Sequence, residues 1–181
     1  MKILFFAGSL RTGSLNKKFA LEAKRLVDAK SGYETEFLDL KDYPMPVYDQ
    51  DIQDKGFPEA VIKLGEKIAG IDALVVSTPE YNGSIPSVLK NVIDWLSREK
   101  RVSIGDKPLL LISASMGALG GVRGLWQTRV PFEACGVHVF PTMMGLPAAH
   151  NAFDEKGELK EEKLKQQLQK LLDHFLKHIA K

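Results

Sequence analysis

Directly after the apolar run Ile3 to Ala7, the segment Gly8-Ser9-Leu10-Arg11-Thr12-Gly13-Ser14-Leu15-Asn16 gathers three hydroxyls, a side-chain amide and one guanidinium. Such groups, placed where a buried strand opens an amphipathic helix, suit the holding of a phosphate: backbone N–H groups and the helix dipole favour an anion there, and an arginine fork matches its oxygens. Two later segments carry groups of another kind. Ser77-Thr78-Pro79-Glu80-Tyr81-Asn82-Gly83-Ser84-Ile85-Pro86 sets a phenol ring and an amide between prolines. Ser113-Ala114-Ser115-Met116-Gly117-Ala118-Leu119-Gly120-Gly121 is built of small residues that let a backbone approach a flat ring and aim N–H groups at its edge. A phosphate cradle with two walls for a planar polar ring describes a mononucleotide site.

Each segment alone also has a structural reading, Ser14 as a helix N-cap and Gly8 as a tight turn. The three together narrow the choice. No Gly-Lys-Ser/Thr follows Gly8, which argues against nucleotide hydrolysis of the P-loop kind, and no Gly-x-Gly-x-x-Gly opens the first helix, which argues against a Rossmann dinucleotide site. A response-regulator site would need acidic residues after the first strand, where this chain has serine and arginine.

The elements that must position these segments alternate along the whole chain. Leu15, Phe19, Ala23, Leu26 and Val27 keep helical spacing up to Ser31-Gly32, and Tyr33 to Leu40 alternates like a strand near a sheet edge. The prolines of Tyr43 to Tyr48 forbid a helix there. A second helix is expected from about Pro58 to Ala69, a fully apolar strand at Ala73 to Ser77, a third helix from about Ser87 to Leu96 and a strand at Pro108 to Ser113. A helix from about Gly121 to Ala134, a fifth strand at Val137 to Phe140 and a long loop from Pro141 to Gly157 follow. Leu164, Leu168, Leu171, Leu172, Phe175 and Ile179 draw the stripe of a final helix, with its charged remainder solvated. This beat implies an α/β, flavodoxin-like three-layer sandwich with a five-stranded parallel sheet in the order 2-1-3-4-5. In that order a ligand crevice forms beyond the carboxyl ends of strands one and three, so all three segments should meet at one end of the sheet.

Composition bounds the partners. The 181 residues, 44% of them hydrophobic, fit a single domain over residues 1–181 with its own core. A formal charge of +2 from 25 basic and 23 acidic residues gives no field that attracts nucleic acid or a membrane surface. The lone Cys135 excludes an intramolecular disulfide and a cysteine-based metal cage. The chain starts on a strand rather than on a targeting segment, and no apolar stretch reaches the roughly 20 residues that span a bilayer, so a cytoplasmic protein is expected.

The chain resembles the NAD(P)H-dependent FMN reductases, and within them the chromate and quinone reductases. The resemblance rests on Gly8-Ser9-Leu10-Arg11-x-x-Ser14-x-Asn16, on Pro79-Glu80-Tyr81-Asn82 with Ile85-Pro86, on Leu89-Lys90-Asn91-x-Ile93-Asp94-Trp95-Leu96-Ser97, and on Ser115-Met116-Gly117-x-x-Gly120-Gly121. It implies that Ser9, Arg11, Ser14 and Asn16, with Leu15 among them, contact the phosphate of a bound FMN. It implies that Pro79, Glu80, Tyr81 and Asn82 lie along the isoalloxazine, with Ser115 and Gly117 near the flavin. It further implies NAD(P)H as co-substrate, quinones, free flavins or chromate as acceptors, and a homodimer or pair of dimers. The flavin carries the redox chemistry, so no catalytic acid or base and no metal ligand is assigned. A flavodoxin-type electron carrier and a non-catalytic nucleotide-binding module are the alternatives. Net charge and Arg11 count against the carrier, and failure to bind FMN would favour the module.

Overall fold

A computed structural model describes residues 1–99 and 103–180. Its elements are β1 (Lys2–Ala7), α1 (Leu15–Asp28), β2 (Glu34–Leu38), α2 (Gln50–Gln53), α3 (Glu59–Ala69), β3 (Ala73–Ser77), α4 (Ser87–Leu96), β4 (Pro108–Ala114), α5 (Val122–Ala134), β5 (His138–Val139), β6 (Met144–Leu146) and α6 (Glu162–Ile179). The strands form one parallel sheet in the order β2-β1-β3-β4-β5, with β6 also paired to β4. This is the flavodoxin-like doubly wound arrangement expected from the alternation of elements.

The sheet is covered on both faces because alternate residues of its central strands point to opposite sides. Ile3 and Phe5 of β1, Val75 of β3 and Leu110 and Ile112 of β4 pack with Phe19, Ala23 and Val27 of α1 and Leu168, Leu172 and Phe175 of α6. Leu4, Phe6, Leu74, Val76, Leu109 and Leu111 face the other way, onto Leu64 and Ile68 of α3, Leu89, Val92 and Trp95 of α4 and Leu125 and Phe132 of α5. Every residue of β3 is buried, which is why that strand reads as an unbroken apolar run rather than an alternating one.

Two elements differ from the sequence expectation. The fifth strand is broken, and part of the segment expected to be loop completes it. Leu109 pairs with Val139 but Ile112 pairs with Met144, so the register slips by two residues across the break. Pro141 lies within it and has no N–H to give to the ladder. Arg129 of α5 satisfies the carbonyls at the break instead, donating to Phe140 at 3.2 Å and to Val139 at 3.4 Å. The segment from Pro141 to Gly157 therefore contains β6 and a single 3-10 turn at Ala149–Asn151. The second difference is α2, a four-residue helix capped by Asp49, whose carboxylate accepts from the Asp51 N–H at 2.8 Å. Among the described residues no helix is long and apolar enough to cross a membrane.

The loop Tyr43 to Tyr48 is tied down from α4. Asn91 accepts from the Tyr48 N–H at 2.8 Å and donates to the Pro46 carbonyl at 2.9 Å, and the Trp95 indole N–H donates to the same carbonyl at 2.9 Å. This accounts for two polar groups of the Leu89 to Ser97 motif: they hold a proline loop.

Candidate flavin site

At the carboxyl ends of β1, β3 and β4 the three polar segments meet around an open cleft of about 230 Å³. One side is formed by Ser9, Arg11, Ser14, Leu15 and Asn16. Pro79, Glu80 and Tyr81 form the second, and Ala114, Ser115 and Met116 the third. The strand ends are held in step by backbone bonds, Gly8 N–H to the Ser77 carbonyl and Thr78 N–H to the Ile112 carbonyl, each at 2.9 Å.

The first side is arranged for an anion. Ser14 is the N-cap of α1, its hydroxyl oxygen accepting from the Lys17 N–H at 3.3 Å. The Ser9 hydroxyl oxygen likewise accepts from the Arg11 N–H at 3.3 Å. With their oxygens already accepting, both hydroxyls have a proton left to donate. The N–H groups of Leu15 and Asn16 belong to the first helical turn and have no acceptor among the described residues, as helix geometry requires. No acidic residue lies in that turn, and no carboxylate among the described residues pairs with Arg11. Donors without acceptors, a free guanidinium and a helix N-terminus together fit a phosphate group.

Asn16 lines the cleft while its side chain is committed within the chain. Its side chain is buried and fully engaged within the chain: Nδ2 donates to the Ala114 carbonyl at 2.9 Å, and Oδ1 accepts from the Ser77 hydroxyl and the Ala114 N–H, each at 2.9 Å. It cross-links the start of α1 to the ends of β3 and β4, which leaves its backbone N–H for a ligand.

Glu80 is also a positioning residue. Its carboxylate, 9% exposed, accepts from the Arg123 and Gly124 N–H groups at 3.1 and 3.2 Å and pairs with the Arg123 guanidinium at 2.5 Å. Helix α5 has Gly121 as N-cap and no cap from its own side chains, so Glu80 caps it from across the sheet. Burial alone would raise the Glu80 pKa. The Arg123 hydrogen bond and charge, with the helix N–H groups, outweigh it and hold the carboxyl below its ordinary value.

Asn82 and Gly117 stand outside the cleft wall. Tyr81 and Ser84 exchange both backbone bonds at 3.0 Å, and the residues between them, Asn82 and Gly83, have φ of 52° and 76°. This is the backbone of a type I′ turn, for which Asn-Gly is the strongest sequence signal. It presents the half-exposed Tyr81 ring at the cleft mouth. Gly117 is exposed, and a Cβ there would meet only the Ser115 hydroxyl at 3.6 Å. The tight contact in this loop is at Gly120, with φ of 61° and an added Cβ 2.6 Å from the Gly145 carbonyl carbon. Thus β6 presses on the third segment, and the Ser115 N–H to Leu146 carbonyl bond at 3.0 Å and the Ala149 N–H to Ser115 carbonyl bond at 2.9 Å fix it further.

An end whose donors fit a phosphate, an aromatic ring and an open face at the switch point of a flavodoxin-like sheet are the features a flavin mononucleotide site would need. The sequence profile described as NADPH-dependent FMN reductase matches residues 1–151. The chain belongs to the NADPH-dependent FMN reductase family. It is similar to an NAD(P)H-dependent FMN reductase of Pseudomonas aeruginosa, 38% identical over 174 residues that cover 95% of this chain and 91% of the relative. A quinone reductase of Escherichia coli is 34% identical over 166 residues, 88% of this chain and 85% of its own length. Among solved structures, a flavoenzyme NAD(P)H:(acceptor) oxidoreductase from Paracoccus denitrificans superposes with a TM-score of 0.82 at 30% identity, covering 99% of this chain and 97% of that one. As a member of the FMN reductase family this chain is an oxidoreductase whose cofactors are FMN and NAD(P)H. Among the described residues no cluster of three or more His, Cys, Asp or Glu is placed to hold a metal ion.

Proposed function

We propose that residues 1–181 form one FMN-binding domain that reduces small acceptors with electrons from NAD(P)H, in a ping-pong order. The oxidised nucleotide leaves before a quinone, a free flavin or chromate takes its place. The observation that carries this reading is the convergence of the three segments on one open cleft, with unpaired donors at one end and Tyr81 and Met116 at the other. When bound there, FMN supplies the hydride and electron chemistry. The chain supplies position. The Ser9 and Ser14 hydroxyls, Arg11 and the first-turn N–H groups of α1 hold the phosphate, while Pro79, Tyr81, Ser115 and Met116 bracket the ring and leave one face open to flat molecules. Glu80 and Asn16 keep those walls in place, and Asn82 and Gly117 shape the turns behind them.

Exposed Trp126 and Val130, one turn apart on α5, offer an apolar face to a second copy of the chain. A homodimer or pair of dimers in the cytoplasm completes the reading, in keeping with a lone, unpaired Cys135. The test is initial-rate kinetics with NADPH and a benzoquinone varied together. Parallel double-reciprocal lines are expected. Intersecting lines would show that nucleotide and acceptor are bound at once, and would replace the ping-pong order with a sequential one.

A further inference from the structure

Beyond the residues of the first segment itself, we propose that Lys41 is a positioning residue of the phosphate cradle, acting through the Thr12 hydroxyl and supplying the second positive charge that the cofactor phosphate requires. The inference rests on the reading of this cleft as the FMN site. Lys41 lies in the single 3-10 turn Leu40–Asp42 that follows β2, and β2 is the neighbour of β1 in the sheet, so its position beside the β1 to α1 loop follows from the strand order. Its ammonium donates to the Thr12 hydroxyl oxygen at 2.9 Å. Among the described residues no carboxylate pairs with that ammonium.

The hydrogen-bond direction is what gives the contact its chemistry. A lysine ammonium can only donate, so the Thr12 oxygen is the acceptor and the Thr12 proton is left to donate elsewhere. Ser9 and Ser14 are held in the same state by backbone N–H groups. Each of the three hydroxyls of the loop thus accepts one bond from within the chain and keeps its proton to donate, which suits an anion.

Charge points the same way. A phosphate monoester carries about −1.5 to −2 at pH 7, and Arg11 offsets about one unit of it. Lys17, at the start of α1, is engaged elsewhere: both oxygens of Asp39 take its ammonium, one of them at 2.6 Å. Asp39 also accepts from the Lys41 backbone N–H at 3.0 Å, which fixes the turn while the Lys41 side chain runs to Thr12. Asp39 therefore occupies the Lys17 ammonium directly, while its bond to the Lys41 backbone N–H fixes the turn from which the Lys41 side chain reaches Thr12.

The experiment titrates the full chain, stripped of flavin, with FMN and separately with riboflavin, which lacks the phosphate, and follows the quenching of flavin fluorescence. Lys41→Met is expected to weaken FMN binding roughly tenfold, as for loss of one charge near an anion, with riboflavin affinity unchanged. Thr12→Val should do the same, and Lys41→Arg should restore most of the FMN affinity. FMN binding by Lys41→Met equal to the wild type, or an equal loss for both flavins, would overturn the proposal, the second because it marks a disordered loop rather than a missing charge. A wild-type chain that binds FMN no more tightly than riboflavin would overturn the reading of the cradle and this inference with it.

Discussion

Replacing Asn16 by alanine separates two roles that one residue cannot fill at once. If its side chain is a strut, Asn16→Ala strands three partners: the Ala114 carbonyl, the Ala114 N–H and the Ser77 hydroxyl, each 2.9 Å away. Ser77 is 0% exposed and Ala114 3%, so none of these groups is well placed to turn to bulk water. An orphaned buried polar group costs about 1–3 kcal/mol. The Ser77 hydroxyl can rotate, and Ala114 borders the cleft where a water can enter, so the low end applies and the sum is about 3–4 kcal/mol. That is a large share of the roughly 5–15 kcal/mol that holds a domain of this size. The assay is urea denaturation of the flavin-free chain at neutral pH, followed by far-ultraviolet circular dichroism and tryptophan fluorescence. The midpoint should fall strongly with the slope unchanged. In a double-mutant cycle with Ser77→Ala the two losses should couple by about 1 kcal/mol, because the residues share one bond. A loss of stability under about 1 kcal/mol together with a collapse of FMN affinity would refute the reasoning: it would mean that the amide faces the phosphate and that the three bonds are incidental.

Arg11→Ala should weaken FMN binding by roughly 1.5 kcal/mol, the low end for a charge-assisted bond because the side chain is exposed; calorimetric titration checks this, and an unchanged melting curve without flavin should accompany it. Gly120→Ala should destabilise the chain by about 2–5 kcal/mol, from left-handed backbone strain plus the clash with Gly145, whereas Gly117→Ala should melt as the wild type does. Glu80→Gln should lower stability at pH 7 by about 1 kcal/mol by weakening the cap of α5. The pH dependence has a definite sign. Glu80, Asp39 and Asp28 all have carboxyl pKa values below their ordinary ones despite the opposing effect of burial, chiefly through Arg123, Lys17 and Lys24 respectively. Their stabilisation is complete above the unfolded carboxylate range near pH 4 and is lost as pH falls through the folded values. The gap between wild type and Glu80→Gln should accordingly close below about pH 4 in acid denaturation curves; a gap that widens in acid would contradict the assignment.

Period and punctuation made the fold legible from the sequence. Apolar runs at Ile3 to Ala7 and Ala73 to Ser77, helical stripes between them and the glycine and proline signals at their ends are local, and their alternation leaves few topologies open once crossovers must be right-handed. The strand order then placed the three polar segments at one end of the sheet. Part of the site was written locally too: Ser14 as N-cap follows from the helix start, and Asn82-Gly83 is a turn signal that could have been read from the sequence as such. The broken fifth strand was half-legible, since Pro141 marks the break, but nothing local says that Met144 to Leu146 resumes pairing with β4.

What the tertiary structure alone decided is the partner of each polar group. Ser9, Arg11, Asn16, Glu80 and Ser115 were selected by type and position, and their types permit either ligand contact or internal bonding. Asn16 meets Ala114 across 98 residues, Glu80 meets Arg123 across 43 and Lys41 reaches Thr12 across 29. Such pairings depend on how far two elements slide and tilt when their apolar faces close on the sheet, and that is fixed by packing over the whole core. The sequence determined which polar segments gather and at which end of the sheet the candidate site lies, because periodicity and turn chemistry are short-range. The fold determined which side chains remain free for the cofactor and which hold the walls apart, because a buried polar group takes whichever partner the packed chain brings within reach.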